Sequence, residues 1–299
     1  MKKLGLATAL LLAMTGAQAY QFEVQGQSEF IDNTVNEQNF TGAVQGTYYF
    51  KNVDSTKGPL AEAAFLNQAS NFSLAYNYGE YDENGLDIVS HTYGAKAEAY
   101  IPTKFVPAYA SASYNHTIND SKNALATDDQ GDRYALELGA LVAPNFLVAV
   151  GYTSVADQVS YDAFNILSNG VAKAALESET IADDQDAITA RTKYVGAIDG
   201  TNMAIGFETG LVYGESTAYA LKTDLYLTPA LSVGASYAET SADIANDKAW
   251  GANVNYFITP AVSVGASYVN ANFEAAQAGE EDATVLDTQT VGLNAKFRF

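Results

Sequence analysis

The chain has 299 residues, with 15 Lys+Arg against 35 Asp+Glu, a formal charge of −20, 20 Tyr, 14 Phe, one Trp and no Cys. That acid excess makes nucleic acid a poor partner, and the absence of cysteine rules out a disulfide framework. No stretch has the length and apolarity of a transmembrane helix, so this chain could cross a bilayer only with strands.

The N-terminus carries a short basic start, Met1-Lys2-Lys3, an apolar run from Leu4 to Ala13, and a small-x-small site at Ala17-Gln18-Ala19. This pattern predicts a secretory signal peptide over residues 1–19, cleaved so that Tyr20 leads the mature chain. The run is far too short to span a membrane, and no Cys follows the site, which excludes a lipoprotein signal. Removal leaves 280 residues (299 minus 19) and a formal charge of −22 (−20 less Lys2 and Lys3).

From Tyr20 onward the period is two. In Tyr20–Ile31, Phe22, Val24 and Phe30 share a face with Gly26 and Ser28, and Gln21, Glu23, Gln25, Gln27 and Glu29 occupy the other. A fully polar face opposite an apolar one is expected of a barrel wall with lipid outside and water inside. Crossing an apolar band of about 25 Å takes roughly ten tilted residues, which the runs supply. The pattern predicts fourteen strands: 20–31, 40–51, 70–82, 87–101, 105–118, 132–143, 146–158, 188–198, 203–214, 217–228, 230–241, 248–258, 261–273 and 288–299. The fold class is thus all-β, a transmembrane antiparallel up-and-down barrel over residues 20–299, with both termini on the periplasmic side.

Two segments interrupt the series. Asn52 to Ala69 holds Gly58-Pro59 followed by Leu60-Ala-Glu-Ala-Ala-Phe-Leu66 and reads as a short periplasmic helical turn. Ser160 to Ala187 is the longest irregular stretch. Around its Asn169-Gly170 turn, Asp162–Leu167 and Val171–Leu176 could pair, giving sixteen strands or a hairpin above the membrane; otherwise Val171 to Ser178 is helical. With no plug ahead of the first strand, only this stretch is expected to fold inward as a lid.

An internal repeat marks the later hairpins. Tyr226-Leu-Thr-Pro-Ala-Leu-Ser-Val-Gly-Ala-Ser-Tyr237 returns 31 residues on as Phe257-Ile-Thr-Pro-Ala-Val-Ser-Val-Gly-Ala-Ser-Tyr268, with looser copies at Leu141–Tyr152 and around Pro102. Proline cannot donate to a sheet ladder, so each copy is a strand end, a tight turn and a new strand. At the C-terminus Val291, Leu293, Ala295, Phe297 and Phe299 alternate with Gly292, Asn294, Lys296 and Arg298, an aromatic-terminated strand like those that barrel-assembly machinery recognises.

Strand charges segregate to the inner face, as they must, since Lys or Arg at the lipid midplane costs about 2–4 kcal/mol. The candidate pore-lining residues are Lys96, Glu98, Arg133, Glu137, Arg191, Lys193, Glu208, Lys222, Asp224, Lys296 and Arg298. Between them lie small residues such as Ser232, Gly234, Ser236, Ser263, Gly265 and Ser267, which leave room for water and so predict a channel. Acid gathers in the outer loops, Asn119–Asp132, Ser160–Ala187 and Glu274–Asp287, without EF-hand spacing. There it serves solubility, a cation-attracting vestibule, or divalent bridges to lipopolysaccharide phosphates. A lumen of mixed sign under acidic loops predicts weak cation preference.

Tyr48, Phe50, Tyr76, Tyr78, Tyr100, Tyr226, Tyr256, Phe257 and Phe297 fit two interfacial girdles, with Trp250 in the outer one. The only histidines, His91 and His116, lie near the outer rim. Ser90, Asp87 and Asp120 are near in sequence, but adjacent strand residues face opposite ways, and no phosphate loop, zinc pair or nucleophile elbow is present. No enzyme, cofactor or metal is expected.

The signal peptide ending Ala17-Gln-Ala19, the Tyr20-Gln-Phe-Glu-Val start, Gly58-Pro-Leu-Ala-Glu-Ala-Ala-Phe-Leu66 and Lys296-Phe-Arg-Phe299 together resemble the Acinetobacter outer-membrane porins of the thirty-three-to-thirty-six-kilodalton type. The resemblance covers the whole chain. It implies a monomeric fourteen-stranded barrel, a passive channel for water and small solutes whose extracellular loops can close it, and links with host cells and antibiotic entry. The expected surroundings are outer-membrane lipid, lipopolysaccharide and small solutes, with Phe299 addressing the assembly machinery. The alternative is a surface adhesin with a closed lumen, binding host proteins.

Overall fold

The computed structural model describes residues 19–33, 39–83, 86–121, 128–157, 160–164, 184–241, 247–275 and 284–299. Fourteen strands follow one another: β1 (Ala19–Asn33), β2 (Asn39–Asp54), β3 (Asn71–Glu83), β4 (Leu86–Ile101), β5 (Ala108–Ser121), β6 (Asp129–Ala143) and β7 (Phe146–Asp157). Then come β8 (Asp186–Ala197), β9 (Ala204–Tyr213), β10 (Thr217–Thr228), β11 (Leu231–Ser241), β12 (Lys248–Thr259), β13 (Val262–Ala275) and β14 (Thr284–Arg298). Each pairs antiparallel with its chain neighbours, and β1 pairs with β14, so the ring closes and no ladder edge is left open. Pairing runs from Glu23 opposite Arg298 to Asn33 opposite Thr288. The signal-peptide expectation falls on residues 1–18, outside the described residues apart from Ala19.

The burial pattern inverts that of a water-soluble sandwich. Phe30, Leu136, Leu138, Val150 and Leu293 stand more than half exposed on the outer face, and Thr92, Asn115, Thr117, Arg133 and Thr290 are buried on the inner one. Strand alternation put them there; lipid around the barrel makes it favourable. The Thr-Pro repeats form tight turns between β10 and β11 and between β12 and β13. Thr228 Oγ1 accepts from the Ala230 and Leu231 amides, and Thr259 Oγ1 from Ala261. Each repeat also shifts register just before the turn, at Tyr226/Thr228 and Phe257/Thr259.

The largest departure from expectation lies between β2 and β3. Leu60–Glu62 forms a 3-10 turn and Ala63–Leu66 a one-turn helix, α1, as the composition suggested. Rather than hanging outside as a turn, this segment is folded into the barrel at the end that holds both termini. Phe65 packs with Tyr109, Leu141, Leu147, Ala149, Val195 and Tyr226, which come from five different strands. Ala63 packs with Tyr20, Tyr49, Val53 and Ala69. The expectation that only the later loop could enter the lumen is therefore corrected. Of the expected pairing of Asp162–Leu167 with Val171–Leu176, residues 162–164 are described and form no strand; the rest of it and the expected helix at Val171–Ser178 lie outside the described residues, and the fourteen described strands close the barrel without them.

A plugged barrel interior as candidate channel

The plug is fastened at points around the ring. The Leu60 amide donates to the Pro229 carbonyl in the β10–β11 turn at 2.8 Å, and Arg298 Nη1 donates to the Leu60 carbonyl at 2.8 Å. Glu62 meets Lys193 of β8 at 3.0 Å and accepts from the Tyr226 hydroxyl of β10 at 2.8 Å. Burial alone would raise the Glu62 carboxyl, but the Lys193 charge and the Tyr226 hydrogen bond outweigh it and hold the group below its ordinary range. Arg298 is enclosed: Nε donates to Glu23 at 2.7 Å, and the guanidinium lies 4.6 Å from the ring centres of both Tyr20 and Phe257. Lys296 reaches the other Glu23 oxygen at 3.1 Å.

This arrangement corrects the aromatic assignment. Tyr48, Phe50, Tyr76, Tyr78, Tyr256, Phe297 and Trp250 do point outward, but Tyr100, Tyr226 and Phe257 turn inward against the plug or Arg298. The plug displaces water from that end, so interior rings have apolar partners there instead of an aqueous lumen.

The eleven sequence-selected residues all sit on interior faces, Lys296 and Arg298 beside the plug and the other nine above it, mostly as a connected set. Arg191 bonds Glu137 through Nε and Nη2 at 3.0 and 2.8 Å, reaches Glu208 at 3.6 Å, and donates to the Tyr109 hydroxyl at 3.0 Å. Tyr109 donates in turn to Glu98 at 2.7 Å, and Glu98 pairs with Lys96 at 3.2 Å. Lys193 joins Glu208 at 3.6 Å to Glu62, and Lys222 faces Asp224 at 3.8 Å. Arg133 lines the same space near Thr153 and Phe164. Glu62 and Tyr109 escaped sequence selection: Glu62 precedes its partner Tyr226 by 164 positions, a separation that no local pattern encodes.

Between the plug-side cluster of Glu23, Lys296 and Arg298 and Glu29 farther up β1, charge is concentrated on the arc from β4 to β10. The remainder, from β11 through β14 and on to β3, presents Asn253, Asn255, Asn294, Gln25, Gln45 and small hydroxyls to the same space. The two adjoining interior cavities measure about 390 and 440 Å³. The upper one is bounded by the first part of the β7–β8 connection. There the Tyr161 amide donates to Thr117 Oγ1 and the Ala163 amide to Asn115 Oδ1, which seats residues 160–164 inside the wall. The histidines face outward: His91 Nδ1 lies 2.9 Å from the Tyr76 hydroxyl, and His116 Nδ1 lies 2.8 Å from Asp132. Of the acidic loop residues, Glu177, Glu179, Asp183, Glu280, Glu281 and Asp282 lie outside the described residues.

An antiparallel ring that is apolar outside, polar inside and hollow defines a β-barrel of the outer membrane, of the porin class. The chain belongs to the family described as "Putative general bacterial porin", which it matches over residues 1–297. It is 54% identical to the Acinetobacter baumannii outer membrane protein Omp33, whose crystal structure it matches over 94% of this chain and 99% of that one, with a TM-score of 0.68. It is similar in fold alone to the CymD monoaromatic hydrocarbon channel (10% identity, 98% and 93% covered, TM-score 0.58). A Pseudomonas aeruginosa FadL homologue is likewise similar (8%, 96% and 92%, 0.53). No curated protein matches. Family and fold point to a channel rather than a catalyst.

Proposed function

We propose that the protein is a passive outer-membrane channel for water and small hydrophilic solutes, shut in this conformation by the β2–β3 plug and opened by its withdrawal. The observation that carries this reading is a polar cavity of about 390 Å³ ending on a short segment held by hydrogen bonds, the Glu62–Lys193 ion pair and the packing of Leu60, Ala63 and Phe65. A structural core would be sealed by apolar side chains throughout; here the space above the plug is lined by amides, hydroxyls and paired charges. Residues 160–164 narrow the opposite mouth.

In this reading the mature chain starts at Tyr20, the plugged end with both termini faces the periplasm, and the acidic loops face outward. Lipopolysaccharide surrounds that rim. The barrel acts as a monomer, and Phe299, exposed and stacked on Phe22, serves as the assembly signal. Strand charges that pair almost one for one leave the acidic loops to set a weak preference for cations.

Osmotic swelling of proteoliposomes tests the channel. The Glu62→Ala/Phe65→Ala double variant is expected to swell several-fold faster than the parent in small sugars, and to show a small cation-selective reversal potential in a salt gradient. No swelling from either protein would overturn the channel and leave a sealed adhesin barrel.

A further inference from the structure

The interior has two unlike halves, and the sequence repeat builds one of them. Ser232-Val-Gly-Ala-Ser236 on β11 and Ser263-Val-Gly-Ala-Ser267 on β13 turn Ser, Gly and Ser inward. Register then sets amides beside the glycines: Gly234 pairs with Asn253, and Gly265 with both Asn255 and Asn294. A Cβ at Gly234 would lie 2.5 Å from Asn253 Oδ1, and one at Gly265 would lie 2.8 Å from both polar atoms of Asn294. The bare glycine backbone therefore gives the amides of Asn253 and Asn294, and the Asp224 carboxylate beside Gly234, the space a Cβ would fill, and Asn253, Asn255 and Asn294 line the cavity.

The two halves differ in what they can offer a solute. Arg191 spends its donors on Glu137, Tyr109 and Glu208, and Glu98 spends its acceptors on Lys96, Tyr109 and Asn71. These groups screen one another and present little to an uncharged molecule. On the other half, Asn255 and Asn294 line the cavity as uncharged amides, and Asn253 Nδ2 donates to Asp224 at 3.2 Å where the two halves meet. A side-chain amide both donates and accepts, so it can replace the water that a polyol or amide loses on entry.

We propose that the amide half is a specificity surface for uncharged, hydrogen-bonding solutes (small amides and polyols), and that ions follow the charged half. This rests on the channel reading above and names its preferred class of permeant.

Near-isosteric substitution separates chemistry from bore. In the plug-opened background, Asn255→Leu/Asn294→Leu keeps side-chain size and removes two amides that carry no charge partner among the described residues. The ratio of acetamide or erythritol swelling to KCl conductance is expected to fall about threefold to tenfold, as expected for the loss of one net hydrogen bond. Lys222→Met in the same background is expected to shift the reversal potential toward cations without lowering that ratio. Heat-modifiable electrophoretic mobility confirms a folded barrel in each case. Parallel falls in swelling and conductance, or an unchanged ratio, would overturn the amide surface and leave the channel intact. A plug-opened parent that passes neither solute nor salt would overturn the channel reading and this one with it.

Discussion

The guanidinium of Arg298 lies between the rings of Tyr20 and Phe257, bonded to Glu23 on one side and to the Leu60 carbonyl on the other. One side chain thus joins the seam strands to the plug, in a place where water cannot replace a lost partner. Arg298→Ala leaves Glu23 buried with Lys296 alone, and removing one member of a buried pair costs about 3 kcal/mol. A matching drop in the urea midpoint of the folded barrel checks this. Glu62 gives a pH signature. Docked, its carboxyl titrates below its free value, so docking is at full strength above roughly pH 4.3 and weakens as pH falls from there through the docked value. Conductance is expected to rise on acidification below that point and to lose this rise in Glu62→Gln. The alternation around Lys296 and Arg298 made their inward direction legible, but not that Arg298 is sealed under the plug.

At the scale of the element, the strands were written plainly. Their ends fall within a few residues of the expected bounds because a wall between lipid and water enforces period two over its whole height. The segment before β3 was read correctly as helical and placed wrongly. Leu60, Ala63 and Phe65 are its buried residues, but a turn this short has no face long enough to say against what it packs. The partners of Phe65 lie on β5 to β10, far along the chain, and only closure of the ring brings them near. The inward rings of Tyr226 and Phe257 were misread for the same reason: without the plug, an aromatic at a strand end belongs in a girdle. The repeat was legible as a hairpin unit, and its second meaning appeared only once the register set Gly234 beside Asn253 and Gly265 beside Asn294.

For the whole molecule, the decisive fact is that two solvents act on one sheet. Leu136 sits mid-height on β6, exposed outward and opposite Tyr152. Leu136→Arg is expected to cost about 2–4 kcal/mol in a bilayer. Folding titrations in lipid should show that loss, and a value near zero would mean that this wall does not face hydrocarbon.

Closure of the ring also has a bearing on time. Arg298 bonds Glu23 across 275 positions and Leu60 across 238, so these contacts close some of the longest loops in the chain. Long loops carry the greatest entropic cost of closure, which makes their contacts late ones. The latch on the plug is therefore supplied by the same residue that completes the seam. If the plug shuts the channel as proposed, a barrel with β14 unpaired has no latch, and an incompletely assembled molecule is expected to leak. On that proposal tightness becomes a report of finished assembly, carried on the side chain that bonds both Glu23 and Leu60.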